Sequence, residues 1–452
     1  MTRVSPARGA AFAILLAAER GRAHSDELLR GDAVAALSAQ DRNLVTALVL
    51  GVLRWQMVLD ARVRPLLKRP GARLDPEVLI ALRLGAFQLL HMDRIPAHAA
   101  IGESVELAKA AGHRFASGMV NAVLRKLSRE ASPVAKTTEA HPQWMLDRWT
   151  RFFGEEIACS ICAHGQRQPE LSVRFGDAAA EGELEREGVQ LALGRLLRNA
   201  RVVLEGSVSD SEAFRAGRVR IQDEGSQLVA EIAGQGTTIL DCCAAPGGKT
   251  LVLAERNPQA HIVACEASAA RLGGLRDRLA FLGARVECKL ADAAALAHEN
   301  EFDLVLADVP CSGTGTLARN PEIRHQLAPA DLERQAERQR AILASALRAA
   351  RHGGRVVYST CSLEQEENEQ IVAAQLRQHP DARVLPVHER IAEMDTQGIL
   401  MPGAADKLKT CATPEGFLRL FPGVLGTDGF FVAIAEKSVQ PGHSSGGSRS
   451  SA

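Results

Sequence analysis

The stretch that most constrains this chain is Thr237-Thr238-Ile239-Leu240-Asp241-Cys242-Cys243-Ala244-Ala245-Pro246-Gly247-Gly248-Lys249-Thr250. Its β-branched, apolar start predicts a buried strand, and Leu251-Val252-Leu253-Ala254-Glu255 continues it as a helix. Between them Pro246, Gly247 and Gly248 predict a turn whose backbone can approach a ligand closely and take positive φ. The first amides of the following helix are unpaired donors at the positive end of its dipole. A strand, a glycine turn and a helix in this order make the first βα unit of a doubly wound sheet, where nucleotide-like cofactors dock.

Which cofactor follows by exclusion. An ATP-binding loop needs glycine five residues before Gly248, and Cys243 stands there, so Gly248-Lys249-Thr250 alone does not make one. The turn also lacks the G-x-G-x-x-G pattern of dinucleotide sites. The next strand, His261-Ile262-Val263-Ala264-Cys265, ends in Glu266, a carboxylate able to accept both hydroxyls of a ribose. A third run closes on Leu290-Ala291-Asp292, where Asp292 could accept from an adenine amino group. A fourth, Phe302 to Ala307, delivers Asp308-Val309-Pro310-Cys311. An acidic residue after each of four successive strands suits an adenosine that carries no phosphates. S-adenosylmethionine is the cofactor this pattern predicts, held by Cys243, Ala244, Ala245, Pro246, Gly247, Gly248, Lys249, Glu266, Asp292 and Asp308.

Three motifs, Asp241 to Thr250, Asp308-Val309-Pro310-Cys311-Ser312-Gly313-Thr314-Gly315 and Tyr358-Ser359-Thr360-Cys361-Ser362-Leu363, resemble those of the Sun/NOL1/NOP2 family of RNA cytosine-C5 methyltransferases. Pro96-Ala97-His98-Ala99-Ala100-Ile101 and Asn121-Ala122-Val123-Leu124-Arg125-Lys126 resemble the NusB-like domain fused to a bacterial member of that family. The resemblance implies a multidomain chain. An all-α NusB-like RNA-binding bundle would occupy residues 1–130, a helical connector 131–168, and a small α/β subdomain 169–222. A Rossmann-like α/β methyltransferase domain would follow at 223–437, with a disordered Gly/Ser-rich tail at 438–452. It implies 16S ribosomal RNA as substrate. A C5-cytosine methyltransferase of transfer RNA or 23S ribosomal RNA is one alternative, and a non-catalytic RNA-binding module akin to an antitermination protein is another.

Composition bounds the rest. At 452 residues with 46% hydrophobic and 24% charged residues, the chain is ordinary for two or three globular domains. No apolar run reaches the roughly 20 residues of a membrane span, and no signal peptide is legible. Nine cysteines without framework spacing predict a reducing, cytoplasmic compartment. Cys159-x-x-Cys162 with His164 has no second pair nearby and fits one helical face, so neither metal nor membrane is expected, and the chain is expected to be a monomer. The net charge is zero, yet residues 1–130 carry 19 Lys and Arg against 12 Asp and Glu, which leaves the remainder with a net −7. The basic portion would steer an anionic polymer and the acidic portion would hold a cationic sulfonium.

Along residues 1–130, helical periodicity predicts Ala7–Arg20, Asp41–Asp60, Pro76–Met92, Ile101–Ala111 and Ser117–Arg129, with Ser38 or Asp41 capping the second. Alternation predicts strands at Leu171–Phe175 and Gly217–Gln222, and a late strand at Asp428–Ala435. The acidic run Glu364 to Glu369 predicts an exposed helix start.

Carbon 5 of cytosine is too electron-poor to attack a methyl group directly. A thiolate adding to C6 makes C5 an enamine carbon, which can then be methylated before the C5 proton leaves and the thiol is eliminated. Cys311 and Cys361 both follow strand-like runs, and the chemistry alone does not rank them. The family resemblance does. It implies Cys361 as nucleophile, Cys311 as the thiol assisting product release, and Asp308 near both target base and cofactor. Lys249 would meet the cofactor carboxyl or the base pocket. Arg319 and Arg324, in the segment after Cys311, would contact RNA phosphate.

Overall fold

The computed structural model describes residues 4–21, 25–130 and 135–438. The segment expected as a tail lies outside the described residues, apart from Ser438. The chain folds as two compact units. One comprises residues 1–169 with 316–327, and the other 170–315 with 328–452. The segment expected as a connector therefore packs with the first unit, and twelve residues following Thr314-Gly315 in sequence leave the second unit to join it.

The first unit is helical. Its main helices are Pro6–Glu19, Ala39–Val63, Pro76–His91, Ala97–Ala110 and Ser117–Leu127, followed by Gln143–Phe153 and Glu155–Gly165. Ser38 Oγ accepts from Asp41 N at 3.1 Å and so caps the second helix as its sequence predicts. Leu48, Leu59, Leu82, Leu84 and Leu124 are fully buried in one core, each worth about 2 kcal/mol in transfer from water. Gly51 makes room for the Phe87 ring; a Cβ there would lie 2.0 Å from it. Residues Ala39–Leu66 form one helix long and apolar enough to cross a membrane, contrary to the reading of apolar runs in the sequence. Half of its most apolar 18-residue stretch is buried, and packing in the bundle core explains its apolarity.

The second unit holds two sheets. The smaller comprises β1 (Leu171–Phe175), β2 (Gln190–Leu193), β3 (Ala200–Glu205) and β4 (Val219–Ile221), in the order β2-β3-β1-β4 and antiparallel throughout. Arg174 on β1 is buried and ties this sheet to its larger neighbour, donating at 2.8 Å to both Glu231 and Glu255. The larger sheet comprises β5 (Thr238–Asp241), β6 (His261–Glu266), β7 (Val286–Leu290), β8 (Phe302–Asp308), β9 (Ala350–Thr360), β10 (Ala382–Leu385), β11 (Leu418–Leu420) and β12 (Phe430–Lys437). Its order is β10-β12-β9-β8-β5-β6-β7, with β11 beside β12. Strands β5 to β9 pair in parallel, whereas β12 runs antiparallel to β9, β10 and β11. The central strands are buried on both faces, which is why they read as unbroken apolar runs. Strand order reverses beside β5, and the crevice at the carboxyl ends there is where such a sheet binds ligands.

Candidate active site

Strand β5 ends in Asp241, and the chain then turns through Cys242 to Gly247 into the helix Gly248–Arg256. Gly247 has φ +101°, which a side chain would strain; Gly248 has an ordinary φ. A Cβ on Gly248 would meet the Gln222 side chain at 3.3 Å rather than the ligand crevice. The obligatory glycine of the turn is therefore Gly247. Asp241 is buried and its Oδ2 accepts from Thr250 Oγ1 at 2.7 Å. Burial pushes its carboxyl up to about 6, against the Thr250 hydrogen bond and with the help of the Asp308 charge.

The other strands bring their last residues to the same end. Glu266, at the tip of β6, is buried; its Oε1 accepts from Ser268 N at 2.8 Å and its Oε2 lies 3.6 Å from Arg271. Asp308, at the tip of β8, accepts from Ser359 Oγ at 2.7 Å and pairs with Lys249 Nζ at 2.7 Å. Burial works against the Lys249 ammonium, but the charge and hydrogen bond of Asp308, helped by Cys361 and Asp241, raise its pKa above the ordinary lysine value. Asp292 follows β7 and is exposed; its Oδ1 caps the turn of residues 293–295 by accepting from Ala294 N at 3.0 Å.

A cavity of about 270 Å³ opens between these strand ends. Cys243, Ala245, Glu266, Asp308, Cys311 and Cys361 line it, while Ala291 and Ala293 line it on either side of Asp292, which does not. Ala244, Pro246 and Gly247 in the adjoining turn, and Gly248 and Lys249 at the start of the helix, do not lie on its wall. The two thiols meet there, with Cys311 Sγ and Cys361 Sγ 3.4 Å apart. The hydrogen bond to Cys361, burial, and the Cys361 and Glu367 charges push the Cys311 thiol well up.

Three contributors were not singled out from sequence. Arg271 donates to Ala245 O at 2.8 Å, fixing the turn, and Arg338 reaches the cavity wall from the helix Pro329–Ala349. Glu367 is the third: it is fully buried, contrary to the expected exposed helix start, and so are Glu364 and Asn368. Its carboxylate accepts from the hydroxyls of both Ser312 and Ser362, the residues after Cys311 and Cys361. The signal was the pair of Cys-Ser dipeptides, each offering a hydroxyl that a buried acceptor could collect.

The expected phosphate contacts divide. Arg324 is 1% exposed and belongs to the first unit. Its guanidinium donates to the carbonyls of Arg54, Ala140, Gly165 and Leu317 at 3.1–3.4 Å. Burial, together with the Arg54 charge, lowers it to about 9. Arg324 is thus an internal brace, with no face open to RNA. Arg319, also in the first unit, is half-buried.

A family model described as 16S rRNA methyltransferase RsmB/F matches residues 232–435, and a NusB family model matches residues 5–129. The probable ribosomal RNA small subunit methyltransferase B of Bacillus subtilis is 32% identical, with 95% of this chain aligned to 98% of that one. The ribosomal RNA small subunit methyltransferase B of Xanthomonas campestris is 31% identical across 88% of this chain and 90% of its own. Among solved structures, PH0851 superposes with a TM-score of 0.77 at 25% identity, covering 96% of this chain and 100% of that one. NSun6 from Pyrococcus horikoshii with SFG shares the fold over 66% of this chain and 98% of its own, at a TM-score of 0.54 and 21% identity. The chain is a methyltransferase that belongs to the 16S rRNA methyltransferase RsmB/F family and carries a NusB-family domain at its N-terminal end.

Proposed function

We propose that this chain methylates C5 of a cytosine in 16S ribosomal RNA, using S-adenosylmethionine and a covalent bond between Cys361 and C6 of the base. One observation carries the reading: two thiols 3.4 Å apart on the wall of a cavity that also presents Glu266 and Asp308. The cavity fits the cofactor. Ala245, Ala291 and Ala293 leave room, the Glu266 carboxylate at the end of β6 suits ribose hydroxyls, and two carboxylates suit a sulfonium cation. S-adenosylmethionine bound there supplies an electrophilic methyl group.

The chain's own residues do the rest. Cys361 attacks C6 as the thiolate, which makes C5 nucleophilic. Lys249 stays an ammonium beside Asp308, so it acts as a hydrogen-bond donor and not as a base. Asp308 is anchored through Ser359 and Lys249, which fixes its direction at the strand tip. Once C5 carries the methyl group its proton passes to solvent, the C5–H electron pair restores the C5–C6 double bond, Cys361 leaves C6 as the thiolate, and Cys311, the adjacent thiol, is assigned to that release step. The NusB-family unit, with its basic excess, supplies affinity for RNA. A ribosomal RNA substrate would put the work in the cytoplasm.

Incubating the purified chain with separated 16S, 23S and transfer RNA, followed by bisulfite sequencing, tests the reading. A single new 5-methylcytosine in 16S ribosomal RNA is expected. Methylation confined to another pool would reassign the substrate. Binding of RNA and S-adenosylmethionine without methylation of any pool would overturn the reaction.

A further inference from the structure

The two cysteine loops are far apart in sequence, yet one carboxylate holds both. Glu367 Oε1 accepts from Ser312 N at 2.8 Å and from Gln339 Nε2 at 2.9 Å, while Oε2 accepts from Ser312 Oγ and Ser362 Oγ. The two hydroxyls are themselves 3.0 Å apart. Gln339 also donates to Pro310 O at 2.9 Å, on the other side of Cys311. The same short segment fixes its own backbone. Tyr358 Oη donates to Glu367 O at 2.6 Å, Asn368 Oδ1 accepts from Thr360 Oγ1 at 2.6 Å, and Asn368 Nδ2 donates to Ser362 O at 2.9 Å. Glu367 itself is fully buried and does not line the cavity.

A buried carboxylate without partners would be costly; this one has four donors, and no apolar residue could replace it without stranding them. What those donors share is location. Ser312 is the residue after Cys311 and Ser362 the residue after Cys361, so the carboxylate ties the two thiols through one covalent link on each side. Attack at C6 and the elimination that begins at C5 act on adjacent carbons of one base. Both sulfurs must therefore stay within reach of the same C5–C6 edge, and misplacement by about 1 Å costs roughly a hundredfold in rate.

We propose that Glu367 is a positioning residue: its carboxylate sets the separation of Cys311 and Cys361 by holding the serines that follow them. The inference rests on the two-thiol reaction proposed above. Glu367→Gln keeps the shape but replaces one acceptor oxygen with a donor, so either the two serine hydroxyls or the Ser312 N and Gln339 Nε2 donors lose their acceptor. Two readouts separate positioning from stability. The first is kcat and KM for RNA, with the Kd for S-adenosylmethionine measured by calorimetry. The second is the rate at which dibromobimane, a thiol-bridging reagent, links Cys311 to Cys361 in the RNA-free chain.

For Glu367→Gln, kcat should fall about 100-fold with KM and Kd within threefold of the parent, and bridging should slow. Ser312→Ala and Ser362→Ala, which alter no charge and guard against a Glu367 variant that does not fold, should each slow kcat about tenfold. Unchanged bridging and kcat in Glu367→Gln would overturn the proposal. So would a loss of kcat matched by an equal loss of cofactor affinity, the signature of a structural role alone. Bridging needs no RNA and no methyl transfer. A bridging defect in a chain whose parent methylates nothing would therefore refute the proposed reaction while leaving the carboxylate's hold on the thiols in place.

Discussion

At the scale of single residues the two thiols have distinguishable fates. If Cys361 attacks C6, Cys361→Ala removes the covalent route and no RNA adduct forms. If Cys311 serves release, Cys311→Ala still attacks and then stalls, because blocking a step after addition accumulates the covalent intermediate. That variant should migrate as a protein–RNA conjugate on a denaturing gel, and the double variant should not. The reversed pattern, with Cys361→Ala trapped and Cys311→Ala silent, would exchange the two roles. Asp241 makes a separate prediction about pH. Its carboxyl is raised by burial from an ordinary 3.8 to about 6 in the folded chain. A raised acid pKa means that the folded state holds the proton more tightly than the unfolded state. Stability is therefore lost as pH rises from about 4 to about 6, by about 3 kcal/mol in total. Asp241→Asn should abolish that component, so the stability difference between variant and parent should move in the variant's favour between pH 4 and pH 7 in urea titrations. A difference independent of pH would remove the burial assignment.

At the scale of elements, what was legible followed local pattern. The five N-terminal helices lie within a few residues of the spans that their 3.6-residue periodicity predicts, because apolar stripes and caps such as Ser38 are local signals. The parallel strands and their acidic ends were legible for the same reason. The acidic run Glu364 to Glu369 was not. Six polar residues in a row read as solvated, and nothing local says that donors from Ser312 and Gln339 will arrive to bury Glu367. Arg324 was misread in the same way, since the carbonyls that absorb its guanidinium come from residues as distant as Arg54. The glycine turn lies between these cases. Its presence was legible, but which glycine it requires depends on φ. Gly247→Ala forces a side chain into the left-handed region and toward Leu275 at 3.1 Å, at a cost of about 1–2 kcal/mol. Gly248→Ala meets only the movable Gln222 side chain. Thermal melts with cofactor titration should find Gly247→Ala the weaker of the two in both stability and binding. The opposite ranking would mean that close backbone approach at Gly248, and not the positive φ at Gly247, governs the turn.

At the scale of the whole molecule, the charge imbalance predicts where RNA affinity resides, and the fold decides how it can be tested. Removing residues 1–130 would be a poor experiment. Arg54 donates to Ala318 O at 2.6 Å and Arg324 leans on Arg54 O, so a truncated chain would expose a buried guanidinium along with the remains of the first unit's core. The full chain with neutralised surface charges avoids this. Arg125, Lys126 and Arg129 are exposed at the end of the helix Ser117–Leu127 and just beyond it. Changing all three to glutamine should alter stability by no more than about 0.5 kcal/mol per site. Each phosphate that the variant no longer neutralises should flatten the dependence of log K on log salt by about 0.7 for single-stranded RNA, so the triple variant should lose up to about 2 from the slope. The Kd for S-adenosylmethionine should not change, because the glycine turn, Glu266 and Asp308 all belong to the other unit. A triple variant that keeps the parent's salt slope would show that this stretch of the basic unit faces no phosphate. A variant that lost cofactor affinity as well would undo the division of labour between the two units.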